Sequence, residues 1–157
     1  MASFDLIVLG GGPAGYVCAI RAAQLGLSTA VVEKDKLGGV CVNIGCIPTK
    51  ALLHSASSIN LIAHQAKELG IEVGTVKTDY GVAMKRSRRV SEQNSKGVEF
   101  LMKKNKVTVI KGTGTLLPGR TVKAGADVHE AKKAVVIATG SRVKGTHQNG
   151  LEINQTT

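Results

Sequence analysis

Six residues, Gly10-Gly11-Gly12-Pro13-Ala14-Gly15, directly follow an almost continuous apolar run at residues 4–9, and this junction constrains the 157-residue chain more than any other feature. An apolar run of that length reads as a strand buried on both faces of a parallel sheet. The chain then reads as a helix from about residue 14 to 25, closed by Gly26, and as a second strand over 28–33 through Ala30, Val31 and Val32. Strand, tight turn, helix and strand make a βαβ unit, and G-x-G-x-x-G at its first turn is the pattern that cradles a dinucleotide. Gly10 permits the turn, Gly12 lets the backbone approach a pyrophosphate, and Gly15 lets helix and strand pack closely, with the phosphates at the positive helix N-terminus. Glu33 closes the second strand about 20 residues on, where a carboxylate can accept hydrogen bonds from an adenosine ribose. It also disfavours a 2′-phosphate, so FAD or NAD is expected rather than NADP. The bland alternative, a Gly-rich turn in some other α/β protein, leaves the register of strand, helix and Glu33 unexplained.

The second constellation is Gly38-Gly39-Val40-Cys41-Val42-Asn43-Ile44-Gly45-Cys46-Ile47-Pro48-Thr49-Lys50. Residues 37–45 read as a loop, and Pro48 sits where a helix starts, with helical character over 49–69 to Gly70. Cys46 then lies near a helix N-terminus, where the macrodipole favours a thiolate, and Lys50 adds positive charge. A low thiol pKa is expected, and the pair Cys41 and Cys46 could alternate between disulfide and dithiol. Two other readings exist. The cysteines could be small core residues, though the flanking glycines, Pro48 and Lys50 argue for a shaped site. They could bind zinc with His54, but a fourth ligand and a matching spacing are missing. Cys18, inside the first helix without a basic neighbour, reads as a buried structural thiol.

The formal charge of +10 invites a nucleic-acid reading, so its distribution matters. Residues 1–76 hold five basic and five acidic side chains, residues 77–111 ten and three, and residues 112–157 six and three. The excess is concentrated in one helical segment. At helical spacing, Lys85, Arg89, Glu92, Lys96, Glu99 and Lys103 share a face, with Ala83, Val90, Asn94, Gly97, Val98 and Leu101 roughly opposite. That pattern is a solvated face over a core-facing stripe, with Glu92–Lys96 and Glu99–Lys103 in the favourable i,i+4 order. No aromatic residues interleave with the charges, so no nucleic-acid partner is expected. The uncharged stretch at residues 6–20 is too short to span a bilayer and is broken by glycines and Pro13. No membrane association and no secretory signal are read, which makes a cytoplasmic site the default. Beyond the basic helix, residues 107–110 and 134–138 are apolar runs, and 112–130 between them reads as a small β-meander punctuated by Gly114, Pro118-Gly119 and Gly125.

The sequence GGVCVNIGCIPTK at 38–50, taken with GGGPAG at 10–15, resembles the FAD domain of the flavoprotein disulfide reductases, the pyridine nucleotide-disulfide oxidoreductase family. Its CIPTK ending is more similar to the dihydrolipoamide dehydrogenases than to glutathione or mercuric reductases. The resemblance extends to Gly112-Thr113-Gly114, where the family's backbone meets the adenine, and to residues 134–141, an apolar strand followed by Ala138-Thr139-Gly140-Ser141 near the FAD. It implies an α/β, Rossmann-like FAD-binding domain with a parallel sheet and a small β-meander, truncated, over residues 1–145, with 146–157 starting a linker.

The resemblance further implies that FAD is held by Gly10, Gly12, Pro13, Ala14, Gly15, Glu33, Lys34, Gly39, Val40, Cys41, Lys50, Gly114, Ala138, Thr139, Gly140 and Ser141. Cys41 would be the interchange thiol that forms a mixed disulfide with substrate. Cys46 would face the flavin, with Lys50 near the flavin ring. Electrons would pass from a dihydrolipoyl group to FAD and then NAD, the partner being a lipoyl domain of a 2-oxoacid dehydrogenase or glycine cleavage complex and the whole enzyme a homodimer. Family members run to several hundred residues. This chain has no second G-x-G-x-x-G for NAD and no dimerisation domain with its acid/base histidine, a pattern that His54, His64, His129 and His147 do not match. The chain alone is therefore expected not to turn over NAD and lipoamide. The competing expectations are a free-standing dinucleotide-binding module whose basic helix docks to a partner or nucleic acid, and a related disulfide reductase of the glutathione or mercuric reductase type.

Overall fold

A computed structural model describes residues 2–141. The expected domain end at 145 and the linker over 146–157 lie outside the described residues.

The N-terminal apolar run forms β1 (Ala2–Leu9), which becomes central because strands pair with both of its edges. On one side it runs parallel to β2 (Thr29–Glu33), with Leu6 opposite Thr29 and Leu9 opposite Val32. On the other it runs parallel to the C-terminal half of β6 (Asp127–Ile137), with Leu6 opposite Ala134 and Leu9 opposite Ile137. The connection from β1 to β2 is α1 (Pro13–Gln24), begun by Pro13 in the first turn, where a missing N–H costs nothing. After β2 come a short helix α2 (Gly39–Asn43), α3 (Cys46–His64) and the long α4 (Tyr80–Lys104). β3 (Thr108–Lys111) returns beside β2, and β4 (Gly114–Leu117) and β5 (Thr121–Ala124) lead antiparallel into β6. The strand order is β3-β2-β1-β6-β5-β4.

The alternation of β1 explains how both faces are filled. Leu6 and Val8 pack with Val31 against Ala19 and Ala22 of α1 and Val98 and Met102 of α4. Ile7 and Leu9 pack with Ala30 and Val32 against Val122, Ala124 and Ala131 of the antiparallel part. Ile7, Val8 and Val31 are fully removed from water, each such burial being worth roughly 1.5–3 kcal/mol.

Four details differ from the expectations set by the sequence. The meander and the parallel sheet are one sheet, because β6 is a single 11-residue strand that pairs antiparallel with β5 at its start and parallel with β1 further along. The cysteine loop contains a helical turn, α2, and α3 starts at Cys46 rather than at Pro48. The third concerns α4, whose buried residues are Ser87, Ser91, Ser95, Val98 and Met102. Of the expected stripe only Val98 is buried, while Asn94, Gly97 and Leu101 are exposed, so the inward face is rotated by roughly 80° at 100° per residue. Small side chains let the helix come close to its neighbours, and hydroxyls can be buried when bonded: Ser87 Oγ donates to its own helix at Met84 O, 2.8 Å. Lastly, Lys96 and Glu92 form the expected exposed ion pair at 2.8 Å, but Glu99 and Lys103 are not among the ion pairs of the described residues. No helix of the described residues is long and apolar enough to cross a membrane.

Candidate dinucleotide and redox site

The C-terminal ends of β1, β2, β3 and β6 lie together, and strand order reverses between β2 and β6 on either side of β1. In open α/β sheets, such a switch point opens a crevice. Residues 10–15, Glu33, residues 112–114 and residues 138–141 all follow these strand ends.

The turn after β1 is shaped by backbone contacts that exclude side chains. Gly10 has φ +101°, and a Cβ there would run into the carbonyl of Ala138, the residue after β6, whose N–H donates to Leu9 O at 2.8 Å. A Cβ on Gly15 would overlap the Gly10 carbonyl oxygen, so α1 can start this close to β1 only with glycine. Gly12 is the N-cap of α1 and makes no side-chain cap, which leaves the first-turn N–H groups of Ala14 and Gly15 free for an outside acceptor.

Glu33 is partly buried at the end of β2. Its Oε2 accepts from Gly11 N at 2.6 Å and its Oε1 from Asp35 N at 2.8 Å, so the carboxylate holds the glycine turn as well as facing the crevice. Gly112 N donates to Glu33 O at 2.9 Å. A Cβ on Gly114 would lie 2.7 Å from Leu9 Cδ2 and 3.1 Å from Val32 Cγ1, so the chain after β3 crosses tightly over the ends of β1 and β2. Lys34 is exposed beside Glu33.

The cysteine loop abuts this turn through glycine on both sides. Gly39 has φ +59°, and its Cβ would stand 2.8 Å from Gly12 Cα. Gly12 and Gly39 thus form a cradle in which a side chain on Gly39 would press into the Gly12 backbone. The N–H groups at the start of α1 and the Glu33 carboxylate beside it are the donors and acceptor that a dinucleotide pyrophosphate and ribose would need. Val40 is exposed next to it, as are Pro13, Ala14, Thr139, Gly140 and Ser141.

Gly45 brings the two cysteines together. Its Cβ would lie 3.0 Å from Val40 O and 3.4 Å from Cys41 Cα, so α3 begins against the backbone of α2. Cys41 is half-buried, Cys46 exposed, and both are free thiols. The Cys41 thiol is held above its ordinary value of 9.0, chiefly by a hydrogen bond with Cys46, then by burial and the nearby Cys46 charge. The Cys46 backbone and the Lys50 ammonium pull the other way. Lys50 is exposed one turn into α3. Cys18, partly buried, packs against the core face shared by α1 and α4, away from this pair. Among the described residues, no group of three His, Cys, Asp or Glu side chains is placed to hold a metal ion. His54 is exposed, its Nδ1 3.5 Å from Ser58 Oγ.

Residues that reading the sequence did not single out complete the site. Asn43 Nδ2 donates to Leu37 O (3.1 Å) and Gly39 O (3.0 Å), and Ser95 Oγ of α4 donates to Leu37 O at 2.9 Å. The only signal for Ser95 was the i, i+4, i+8 spacing of Ser87, Ser91 and Ser95.

Comparison with known proteins identifies the family. The family model described as pyridine nucleotide-disulphide oxidoreductase matches residues 4–157. A dihydrolipoyl dehydrogenase of Mycobacterium tuberculosis is 48% identical over 100% of this chain and 34% of its own length. One from Mycobacterium leprae is 50% identical over 92% of this chain and 32% of its length. A dihydrolipoamide dehydrogenase of Chaetomium thermophilum is 45% identical over 98% and 31%. The chain therefore spans about a third of the length of the curated relatives it matches.

Proposed function

The chain belongs to the pyridine nucleotide-disulphide oxidoreductase family, and from that premise we propose that it is the FAD-binding and redox-disulfide part of a dihydrolipoamide dehydrogenase. The observation that carries this reading is the juxtaposition of a paired Cys41 and Cys46 with a glycine cradle, Gly12 against Gly39, at the ends of the parallel strands.

FAD is held by the N–H groups at the start of α1, the Gly12 and Gly39 backbone and the Glu33 carboxylate, with Lys34, Val40, Gly114 and Ala138 to Ser141 around it. When bound, FAD supplies a two-electron acceptor beside the cysteine pair, from which electrons leave to NAD. The chain's own chemistry is thiol exchange. A thiolate of the dihydrolipoyl group attacks Cys41 of the Cys41–Cys46 disulfide, forming a mixed disulfide and releasing Cys46 as a thiolate at the α3 N-terminus. The second lipoyl thiol then displaces Cys41. Lipoyl disulfide leaves, and the two electrons and two protons of the dithiol now reside on Cys41 and Cys46. Lys50 favours the Cys41 thiolate by its charge.

The domain spans 1–145 and continues into a linker. The partner is a lipoyl domain of a 2-oxoacid dehydrogenase or glycine cleavage complex, the complete protein is a homodimer, and it works in the cytoplasm. The chain by itself does not turn over NAD and lipoamide. The test is an absorption spectrum of the chain loaded with FAD, before and after dihydrolipoamide. Retained flavin that develops a long-wavelength thiolate charge-transfer band, lost in Cys46→Ser, is the expected result. Retained flavin without a band would remove Cys46 from the role given to it.

A further inference from the structure

One peptide unit joins the two halves of the site. The N–H of the Leu37–Gly38 peptide donates to Gly11 O at 2.8 Å, in the turn that follows β1. Its carbonyl, on Leu37, accepts from Asn43 of α2 and from Ser95 of α4, at 3.1 and 2.9 Å. Leu37 and Ser95 are each 6% exposed, so the Ser95 bond to this carbonyl is a buried one. Gly38, at φ +96°, then caps α2, the helical turn that carries Cys41. The peptide is therefore fixed at both ends, to the glycine turn and to a helix 58 residues further along the chain.

The serine one turn earlier offers a matched contrast. Ser91 is also buried, at 4%, on the same stripe of the same helix, but its Oγ has no hydrogen-bond partner. Burial and residue type are shared; only the contact to the loop differs.

We propose that Ser95, with Asn43, is a positioning residue for the redox pair: by clamping the Leu37 carbonyl it fixes α2 and so holds Cys41 beside the start of α3, where Cys46 sits. This rests on the reading of Cys41 and Cys46 as a redox pair. A clamp of this kind raises the effective concentration of one thiol at the other, because fewer arrangements of α2 are open to the chain. Removing it lowers the equilibrium constant for closing the disulfide.

The test is thiol–disulfide equilibrium of the full chain in glutathione buffers, read by alkylation and mass spectrometry. In this exchange the protein dithiol gives two electrons and two protons to glutathione disulfide, whose S–S bond breaks to give two glutathione thiols as the Cys41–Cys46 bond forms. Ser95→Ala is expected to lower the equilibrium constant by about threefold and the double variant with Asn43→Ala by about tenfold, while Ser91→Ala leaves it within about 1.5-fold. Equal constants for Ser95→Ala and Ser91→Ala, both folded, would overturn the proposal. If Ser95→Ala does not fold, Asn43→Ala tests the same carbonyl and is judged by the same comparison. Unfolding of both beside a folded Ser91→Ala would also overturn it, since the contacts would then be supports of the whole domain. Absence of any Cys41–Cys46 disulfide in the unaltered chain would instead sink the redox reading itself.

Discussion

The two loops that meet at Gly12 and Gly39 reach their shapes by different means. The turn over residues 10–15 is fixed by backbone pressed against backbone: a Cβ at Gly10 or Gly15 would collide with a carbonyl group, and no side chain of the turn does any holding. The cysteine loop is fixed by side chains, Asn43 from within it and Ser95 from α4, converging on Leu37 O. A loop of the first kind tolerates almost no substitution, because the backbone of residue 138 and the Glu33 carboxylate, both distant in the chain, close in on it. A loop of the second kind can be loosened by degrees, which suits a segment whose two sulfurs must make and break a bond.

The sharpest way to break this comparison is at the glycines. Gly15→Ala sets a methyl group against the Gly10 carbonyl, where neither partner is the end of a flexible side chain. It should cost about 3 kcal/mol or more, seen as a large fall in the denaturant midpoint or loss of folded protein. Gly39→Ala comes next, with a positive φ and Gly12 Cα 2.8 Å from the new atom; about 1–2 kcal/mol and a loss of FAD affinity of roughly tenfold or more are expected in a flavin titration. Smaller again is Ser95→Ala, at about 1 kcal/mol from one buried hydrogen bond, against a neutral or slightly stabilising Ser91→Ala, measured side by side by urea unfolding.

A pH dependence follows from Cys41. Its thiol pKa is raised in the fold by the Cys46 hydrogen bond, so the folded chain holds that proton more tightly than the unfolded chain does. The stabilisation is complete below the ordinary value of 9.0 and is lost as the pH rises through the folded value. Under reducing conditions, Cys41→Ser should therefore flatten the decline of the thermal midpoint at alkaline pH. The smallest effect is expected at Glu92, whose ion pair with Lys96 is exposed on both sides: Glu92→Gln should leave the unfolding midpoint unmoved.

The same contrast explains what could be read from the sequence. The βαβ unit, the glycine turn, Glu33 and the nearness of Cys46 to a helix start were legible, because short-range spacing and apolar runs encode them. The helical turn α2 was not, since Gly39-Val40-Cys41-Val42-Asn43 has poor helix formers, and its shape comes from Gly38 and the Asn43 bonds. The inward face of α4 was missed because hydrophobicity marks Val90 and Leu101, while the helix buries Ser87, Ser91 and Ser95 to approach α2 and α3. Ser95 could be connected to Leu37 only in three dimensions. The continuity of β6 was hidden for a similar reason, since Lys132 and Lys133 interrupt the apolar pattern of a strand that runs unbroken past them.

The central claim is that FAD occupies the cradle with Cys46, rather than Cys41, turned toward it. The most direct measurement is the order in which the two reduced thiols are alkylated, followed by mass spectrometry with and without saturating FAD. Without FAD, the exposed Cys46 should react before the half-buried Cys41. With FAD, Cys46 should be shielded and Cys41 should react first. An order that FAD leaves unchanged, with Cys46 still first, would contradict the account.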